Sequence, residues 1–210
     1  MKKINLWKLL VALIGIFFVG VGVSFNVLTS LGNDSIGMIY DGLRNTFQLA
    51  ESQLGLVTHI VNYSLIVVLF LFGRRYLNIG TFIYILPYGF FVDIGTKLYQ
   101  NLFLSDGFIT RLSAGLIGCL LIYTGVSFFI AVDIGLDPYT GVVMIIRDKL
   151  KSEYRKVKIA YDLALVAIGT ALGGQFGIIT VITVLTAGPS IQWISSKLTR
   201  LINGRKSVSE

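Results

Sequence analysis

Six apolar blocks dominate the sequence, and each is long enough to cross a lipid bilayer as a helix. A helix needs ~20 consecutive apolar residues to span the hydrocarbon core. The mean hydropathy of +0.78 and a charged fraction of only 14% are typical of such a chain. The polar stretches between blocks, at ~20 residues or fewer, are too short to enclose a core of their own. The blocks are 9–31, 54–73, 79–98, 108–132, 157–173 and 176–198.

This pattern predicts an all-α polytopic membrane protein with six transmembrane helices and a single membrane domain over residues 1–210. The basic N-terminus followed by an apolar run is also typical of a secretory signal. The apolar run continues past ~20 residues without a small-residue cleavage box. We therefore expect the first block to be a retained span.

The basic residues are distributed very unequally between the two faces that this arrangement defines. Only Arg44, Lys97 and Arg111 of the 18 lysines and arginines fall on the face opposite to the termini. The positive-inside rule then places both termini in the cytoplasm of a bacterial cytoplasmic membrane. The net charge of +7 is accordingly a topology signal, and we do not expect a nucleic-acid partner. The other basic residues are Lys2, Lys3, Lys8, Arg74, Arg75, Arg147, Lys149, Lys151, Arg155, Lys156, Lys158, Lys197, Arg200, Arg205 and Lys206.

The same charge distribution makes specific residues diagnostic of the topology. We expect Lys151 and Lys206 to be cytoplasmic, and Ser52 and Ser105 to be on the outer face. Single cysteines at these positions would report the topology by their accessibility to an impermeant reagent.

The chain contains a repeated phrase. GVSFNVLTSLGND begins at Gly22, and GVSFFIAVDIGLD begins 103 positions later at Gly125. Each half holds three predicted spans, and an odd number of spans reverses the direction of the second copy in the membrane. The sequence thus predicts two inverted repeats, about 9–100 and 108–200, with residues 10–100 superposing on 113–200 about an axis in the membrane plane. Such repeats are typical of many secondary transporters, whose sites lie at the repeat interface.

Each copy of the phrase ends in a Gly-x-Asp turn that predicts a short extra helix after the first span. Asp34 and Asp137 are placed as N-caps of helices at about 35–48 and 138–150, and Pro138 reinforces the second helix start. Two arrangements remain open. The short helices lie at the membrane surfaces with their aspartates as simple caps, or both dip inward and bring two positive helix ends and two carboxylates to a shared centre.

Polar residues at equivalent positions of the two repeats are the candidate solute-binding residues. Ser24 and Ser127 follow the paired glycines of each phrase, and the packing of one helix against another is the alternative role for both. Asn62 and Asp162 occupy equivalent positions in the second span of each half, where a polar group is costly. The candidate set is Asp34, Asp137, Ser24, Ser127, Asn62 and Asp162.

Prolines in the third and sixth blocks predict that both helices kink or unwind. Pro87 lies close to Gly89, and Pro189 directly follows Gly188. Broken helices of this kind often line substrate sites.

Residues for enzymatic or metal chemistry are scarce. Cys119 is the only cysteine, the chain has one histidine, and the sequence has no HExxH, GxSxG or P-loop motif. We therefore expect neither an enzyme nor a bound metal or cofactor.

The turn IGLDPYTG, the basic loop RDKLKSEYRKVKIAYDLALVAIGTALGG and the closing segment TAGPSIQWISSKL together resemble the YczE-type branch of the YczE/YyaS/YitT bacterial membrane proteins. The resemblance spans essentially the whole chain. It implies a turn after the first helix of each half that contains proline. Residues 31–35 lack that proline, whereas Gly135 to Pro138 carry it.

Two functions follow as hypotheses. In the first, the protein is a small transporter or permease that moves a small polar solute through a site between the repeats. In the second, it is a non-transporting membrane protein that assembles with itself or with a protein partner through its glycine-rich faces and basic loop. Both place the chain in contact with the lipid bilayer.

Overall fold

The computed structural model describes residues 6–104 and 107–204, and Lys2, Lys3, Ser105, Arg205 and Lys206 of the topology predictions lie outside this part. The regular structure of the described residues is helical throughout. Two short 3₁₀ turns, Glu51–Gln53 and Arg74–Tyr76, flank the third helix. The α-helices are α1 Leu6–Thr29, α2 Ser35–Thr46, α3 Leu54–Phe72, α4 Ile79–Leu102, α5 Phe108–Val132, α6 Pro138–Leu150, α7 Tyr154–Ala171 and α8 Ile178–Gly204.

The six long helices coincide with the six apolar blocks, and the short helices α2 and α6 follow α1 and α5 as predicted. Five of the described helices, namely α1, α3, α4, α5 and α8, are long and apolar enough to cross a membrane. The protein is therefore a multi-helical membrane protein. The remaining long helix, α7, has 18 residues and carries Lys156, Lys158 and Asp162 among its apolar residues.

Helices α1 and α5 pack antiparallel at the centre, with their backbones in direct contact at glycines. A β-carbon at Gly22 would lie 2.6 Å from the Gly118 carbonyl oxygen, and one at Gly15 would lie 2.7 Å from the Gly125 carbonyl oxygen. Such close approach is possible only for residues without a side chain. Gly15, Gly22, Gly118 and Gly125 therefore form the contact between α1 and α5.

The two ends of this central pair are fastened in the same way. Lys8 Nζ donates a hydrogen bond to the Val132 carbonyl oxygen at 2.8 Å. At the other end, Arg111 Nε donates to the Thr29 carbonyl oxygen at 2.6 Å. Adding 103 to Lys8 gives Arg111, and adding 103 to Thr29 gives Val132. In the first contact the donor belongs to the first half and the acceptor to the second. In the other contact the equivalent donor belongs to the second half and the equivalent acceptor to the first.

The turns after α1 and α5 each dock on the start of the last helix of the other half. The Ile179 N–H donates to the Leu31 carbonyl oxygen at 2.9 Å, beside Gly32, whose φ of +103° favours glycine. In the second half, Thr81 Oγ1 donates to the Leu136 carbonyl oxygen at 2.8 Å, beside Gly135. The two halves are thus interlocked at both turns.

Both proline-containing helices run without interruption, so of the two predicted outcomes, a kink or an unwinding, the unwinding does not occur. Pro87 lies inside α4 and Pro189 inside α8. A proline removes only one backbone donor, and unwinding in lipid would leave several more backbone groups without partners. Continuing the helix is therefore the less costly outcome.

Candidate functional site

The short helices α2 and α6 meet at their N-terminal ends. The hydroxyl of Ser35, the first residue of α2, lies 3.2 Å from the hydroxyl of Tyr139 at the start of α6. At its other end, α2 reaches the end of α7, where Thr46 Oγ1 donates to the Leu172 carbonyl oxygen at 2.6 Å. Helix α2 thus runs alongside the second half of α7, with its N-terminus next to the middle of that helix.

A hydrogen-bonded cluster joins these N-termini to α7. The Asp162 carboxylate accepts hydrogen bonds from Ser35 at 2.7 Å and from Tyr139. Lys158 Nζ, one turn earlier in α7, donates to Asp162 at 2.7 Å and to the Tyr139 hydroxyl at 2.8 Å. We call Ser35, Tyr139, Lys158 and Asp162 the central cluster. It combines residues of three helices and of both halves of the chain.

The two N-cap aspartates differ in their hydrogen bonds. Asp137 Oδ2 accepts from the Thr140 N–H at 3.0 Å, so the predicted cap of α6 is confirmed. Asp34 makes no side-chain cap, and its Oδ1 is buried without a hydrogen-bond partner. Asp34 therefore occupies the predicted N-cap position of α2 but does not make the predicted side-chain cap. The Asn33 side chain and Asp34 Oδ1 both lie beside Gly37, within 2.5 Å of the position that a β-carbon there would take.

This difference predicts unequal effects of the two alanine substitutions on stability. We expect Asp137→Ala to lower the free energy of unfolding by ~1 kcal/mol because it removes a helix cap. Asp34→Ala should cost less, because no cap is lost and an unpartnered buried oxygen is removed. Thermal unfolding of both purified variants in one detergent tests this order. Equal losses would show that both carboxylates have the same structural role.

Asn62 and three tyrosines form a second polar cluster, on the side of α2 opposite to the central cluster. Asn62 Nδ2 donates to the Tyr40 hydroxyl at 3.2 Å, and the Tyr40 ring centroid lies 6.4 Å from that of Tyr88. Tyr84 stacks on Tyr88 with ring centroids 5.1 Å apart. Tyr40 belongs to α2, and Tyr84 lies one turn after Thr81, which bonds the Leu136 carbonyl oxygen just before α6, so this tyrosine group adjoins both short helices.

The two predicted serines lie in helix packing contacts away from the central cluster. Ser24 Oγ donates to the Val21 carbonyl oxygen at 2.8 Å and is packed against Gly95 of α4. Ser127 Oγ donates to the Tyr123 carbonyl oxygen at 2.6 Å and lies 3.2 Å from the Ile191 carbonyl oxygen of α8. Both side chains are fully buried. The structure thus brings Asp34, Asp137, Asn62 and Asp162 to the two helix starts and their flanks, and leaves the serines between helices.

Sequence reasoning missed Lys158 and the tyrosines. Lys158 was counted among the cytoplasmic charges, although its i to i+4 spacing from Asp162 was a visible signal of an ion pair. Tyr84 and Tyr88 share the same spacing in α4, which places them on one helix face. The contact of Tyr139 with α2 had no signal in the sequence, because it depends on how helices of different halves pack.

The charges around the two helix starts are unbalanced. Asp162 pairs with Lys158, and Asp34 and Asp137 directly precede the helices whose first turns contact this pair, so three carboxylates lie near a single lysine. The two N-terminal helix dipoles add only about half a positive charge each. The region is therefore net negative, and the neighbouring tyrosine rings present negative faces that attract cations.

These features define a polytopic helical membrane protein whose polar centre is built at the junction of two short helices. The chain belongs to the family of unknown function DUF6198, which matches residues 6–196. An uncharacterised protein of Haemophilus influenzae is 22% identical over 193 residues, or 91% of this chain and 84% of that protein.

The Bacillus subtilis uncharacterised membrane protein YczE is 24% identical to this chain over 133 residues, or 63% of this chain and 60% of that protein. The resemblance to the YczE-type branch is thereby confirmed. No solved structure matches the chain.

Proposed function

We propose that the protein is a small transporter that moves a small polar solute between its two halves, through the junction of α2 and α6. The observation that carries this proposal is the central cluster, in which Ser35 of one half and Tyr139 of the other share the Asp162 carboxylate. Ionisable groups shared between helices in a membrane protein are costly to bury and mark solute or proton pathways.

The proposal includes six spans in two inverted repeats, with α7 as the sixth span. The exchanged contacts of Lys8 with Val132 and of Arg111 with Thr29 support an axis that interchanges the halves. The reciprocal docking of the two turns supports the same axis. The charges of α7 are compatible with a span, because Lys158 and Asp162 satisfy one another.

In this arrangement α2 and α6 are half-helices that enter the membrane from its opposite faces. The end of α2 emerges on the outer face and the end of α6 in the cytoplasm, with both termini of the chain also cytoplasmic in a bacterial inner membrane. Support comes from the basic residues Arg147 and Lys149 in the last turn of α6. Asp34 would limit the outer approach to the centre, and Asp137 the inner approach.

The negative charge around the centre favours a solute that carries a positive charge. A small amine would form an ion pair with Asp34, whose Oδ1 has no partner, and would lie near the rings of Tyr84 and Tyr88. A thermal-stability screen of the purified protein against small amines, amino acids and carboxylic acids identifies the class, since a ligand that binds the folded state raises its melting temperature.

Asparagine substitutions of the two aspartates test transport most simply. Asparagine is close to aspartate in shape but carries no charge, and at position 137 it caps the helix about as well as aspartate. We expect Asp34→Asn and Asp137→Asn to lower uptake of the stabilising solute into proteoliposomes at least tenfold, while the melting temperature stays close to that of the wild type. If Asp137→Asn kept full uptake and only Asp137→Ala lost folded protein, the carboxylate would be a structural cap alone.

The exposed surface of α8 favours the alternative function, that of a non-transporting membrane protein that assembles with a partner. Helix α8 exposes much of its surface, including Leu185 and Trp193, and a β-carbon at Gly188 would meet no atom within 4 Å. This face could bind lipid, a second copy of the chain or another protein. Purification decides between the functions, because a transporter is stabilised by its solute alone, whereas an adaptor co-purifies with a protein.

A further inference from the structure

A pocket outside the central cluster lies where the end of α3 meets the end of α6. Its volume is about 330 Å³, near the lower end of the range for small-molecule sites, ~300 Å³. Gly73 leaves room for the Ile145 side chain, which packs directly on it and closes the floor of the pocket. The pocket is lined by Phe72, Gly73, Arg74, Arg75, Tyr76, Ile145, Asp148 and Lys149.

The rim of the pocket carries several basic side chains that aromatic rings hold in place. The Arg74 guanidinium lies 4.3 Å from the centroid of the Phe70 ring, and its Nε donates to the Phe70 carbonyl oxygen at 3.0 Å. Lys149 Nζ lies 4.6 Å from the centroid of the Phe72 ring. Cation–π contacts of this kind restrain a long side chain while leaving its N–H donors available.

The one acidic residue of the pocket, Asp148, is ionised, and basic side chains of the protein already compensate its negative charge. Asp148 accepts hydrogen bonds from Tyr76, from Arg75 and from Arg147, whose Nη2 lies at 2.7 Å. The Tyr76 hydroxyl and the Arg147 guanidinium hold the pKa of Asp148 below its ordinary value, so its single negative charge persists at neutral pH. Three cations, Arg74, Arg75 and Lys149, line the pocket together with this one carboxylate, so the pocket keeps a positive charge.

The apolar surface beside this pocket continues directly from its basic rim. Phe70, Leu71 and Phe72 at the end of α3 are 51%, 62% and 60% exposed, as expected for a helix end that faces lipid. A charged pocket that opens onto a lipid-facing surface is at the level of the phospholipid headgroups. Arginine and lysine together are the side chains that bind phosphate groups.

We propose that this pocket binds a phosphate group, held by Arg74, Arg75 and Lys149. The adjoining apolar surface indicates that the phosphate belongs to an anionic phospholipid, whose acyl chains would lie along the end of α3. Basic pockets between membrane helices on the cytoplasmic side bind anionic headgroups in this way. The proposal does not depend on transport, because it uses none of the residues of the central cluster.

Lipid titration of the purified full-length protein tests this site. Native mass spectrometry would compare phosphatidylglycerol with phosphatidylcholine, and a parallel arm would use inorganic phosphate and glycerol 3-phosphate. We expect phosphatidylglycerol to bind at least tenfold more tightly than phosphatidylcholine. A preference for the soluble phosphates that is lost in the double variant Arg74→Gln with Lys149→Gln would show that the same site binds a free phosphate. Equal binding of the two lipids with no effect of the soluble phosphates would overturn the proposal.

The test variant is Arg74→Gln with Lys149→Gln, which leaves the hydrogen bonds of Asp148 intact. We expect its dissociation constant for phosphatidylglycerol to rise about tenfold or more, since each basic residue near an anionic headgroup contributes to binding. The control is Lys97→Gln with Lys156→Gln, which removes the same charge elsewhere and should change that constant less than about twofold. Equal affinities of test and control variants would contradict the site. The single variant Arg74→Gln replaces the test variant if the latter does not melt cooperatively.

Discussion

Replacing Gly22 with leucine should prevent the close contact of α1 and α5 and destabilise the protein more than any other single change considered above. The new β-carbon would lie 2.6 Å from the Gly118 carbonyl oxygen and 2.8 Å from the Ile122 side chain. The backbones would have to separate, and such overpacking costs ~3 kcal/mol or more. For a protein of this size, we expect the melting temperature to fall by about 10 °C.

The matched control is Gly188→Leu, at a glycine inside α8. A β-carbon there would meet no atom within 4 Å, so the side chain would project into lipid. Leucine has a higher helix propensity than glycine, by somewhat under 1 kcal/mol, but Pro189 disfavours the helical conformation of a residue with a β-carbon directly before it. Because these two effects oppose each other, we expect Gly188→Leu to melt close to the wild-type temperature in the same detergent. A loss as large as that of Gly22→Leu would show either that α8 is buried against a partner or that the α1–α5 contact is not special.

Lys158→Met should lower solute uptake more than tenfold and destabilise the fold by ~2 kcal/mol. The substitution leaves the Asp162 carboxylate with only the hydroxyls of Ser35 and Tyr139 as partners. An uncompensated charge inside a protein costs ~3–5 kcal/mol when fully buried. We expect the smaller loss of ~2 kcal/mol because 33% of the Lys158 side chain and 23% of the Asp162 side chain are exposed to solvent, which reduces the cost of the unpaired charge. Chemical denaturation and proteoliposome uptake measure the two effects separately.

The double variant Lys158→Met with Asp162→Asn separates folding from function. Removing both charges should restore stability to within about 1 kcal/mol of the wild type, because no unpaired charge remains. Uptake should stay low, since the carboxylate that the two halves share is absent. Recovery of uptake together with stability would show that the ion pair only supports the fold.

The sequence predicted the helices well because their causes are local. Hydropathy alone placed the six long helices to within about three residues, apart from the C-terminal ends of α4 and α8, which extend further than the apolar blocks. The Asp137–Pro138 pair set the start of α6 at residue 138. Residue 35 is likewise the start of α2, although Asp34 does not cap it.

The candidate site was only partly predictable, because its contacts join distant parts of the chain. Symmetry between the halves pointed to Asp34, Asp137, Asn62 and Asp162, and the structure places these residues near the two helix starts. Nothing in the sequence fixes the rotation of α2 about its axis, which decides that Ser35 faces Asp162 and Tyr40 faces Asn62. Lys158 was missed because a lysine near a helix end is usually a topology signal.

Single-cysteine labelling tests directly whether α2 and α6 enter the membrane from opposite faces and meet at their N-termini. The measurement uses single cysteines at Ser52, just after α2, and at Lys151, just after α6, in a Cys119→Ser background. An impermeant maleimide is added to intact cells and to opened ones. We expect Ser52→Cys to be labelled in intact cells and Lys151→Cys only after the cells are opened. Labelling of both positions from the same face would contradict the inverted arrangement and the shared centre built on it.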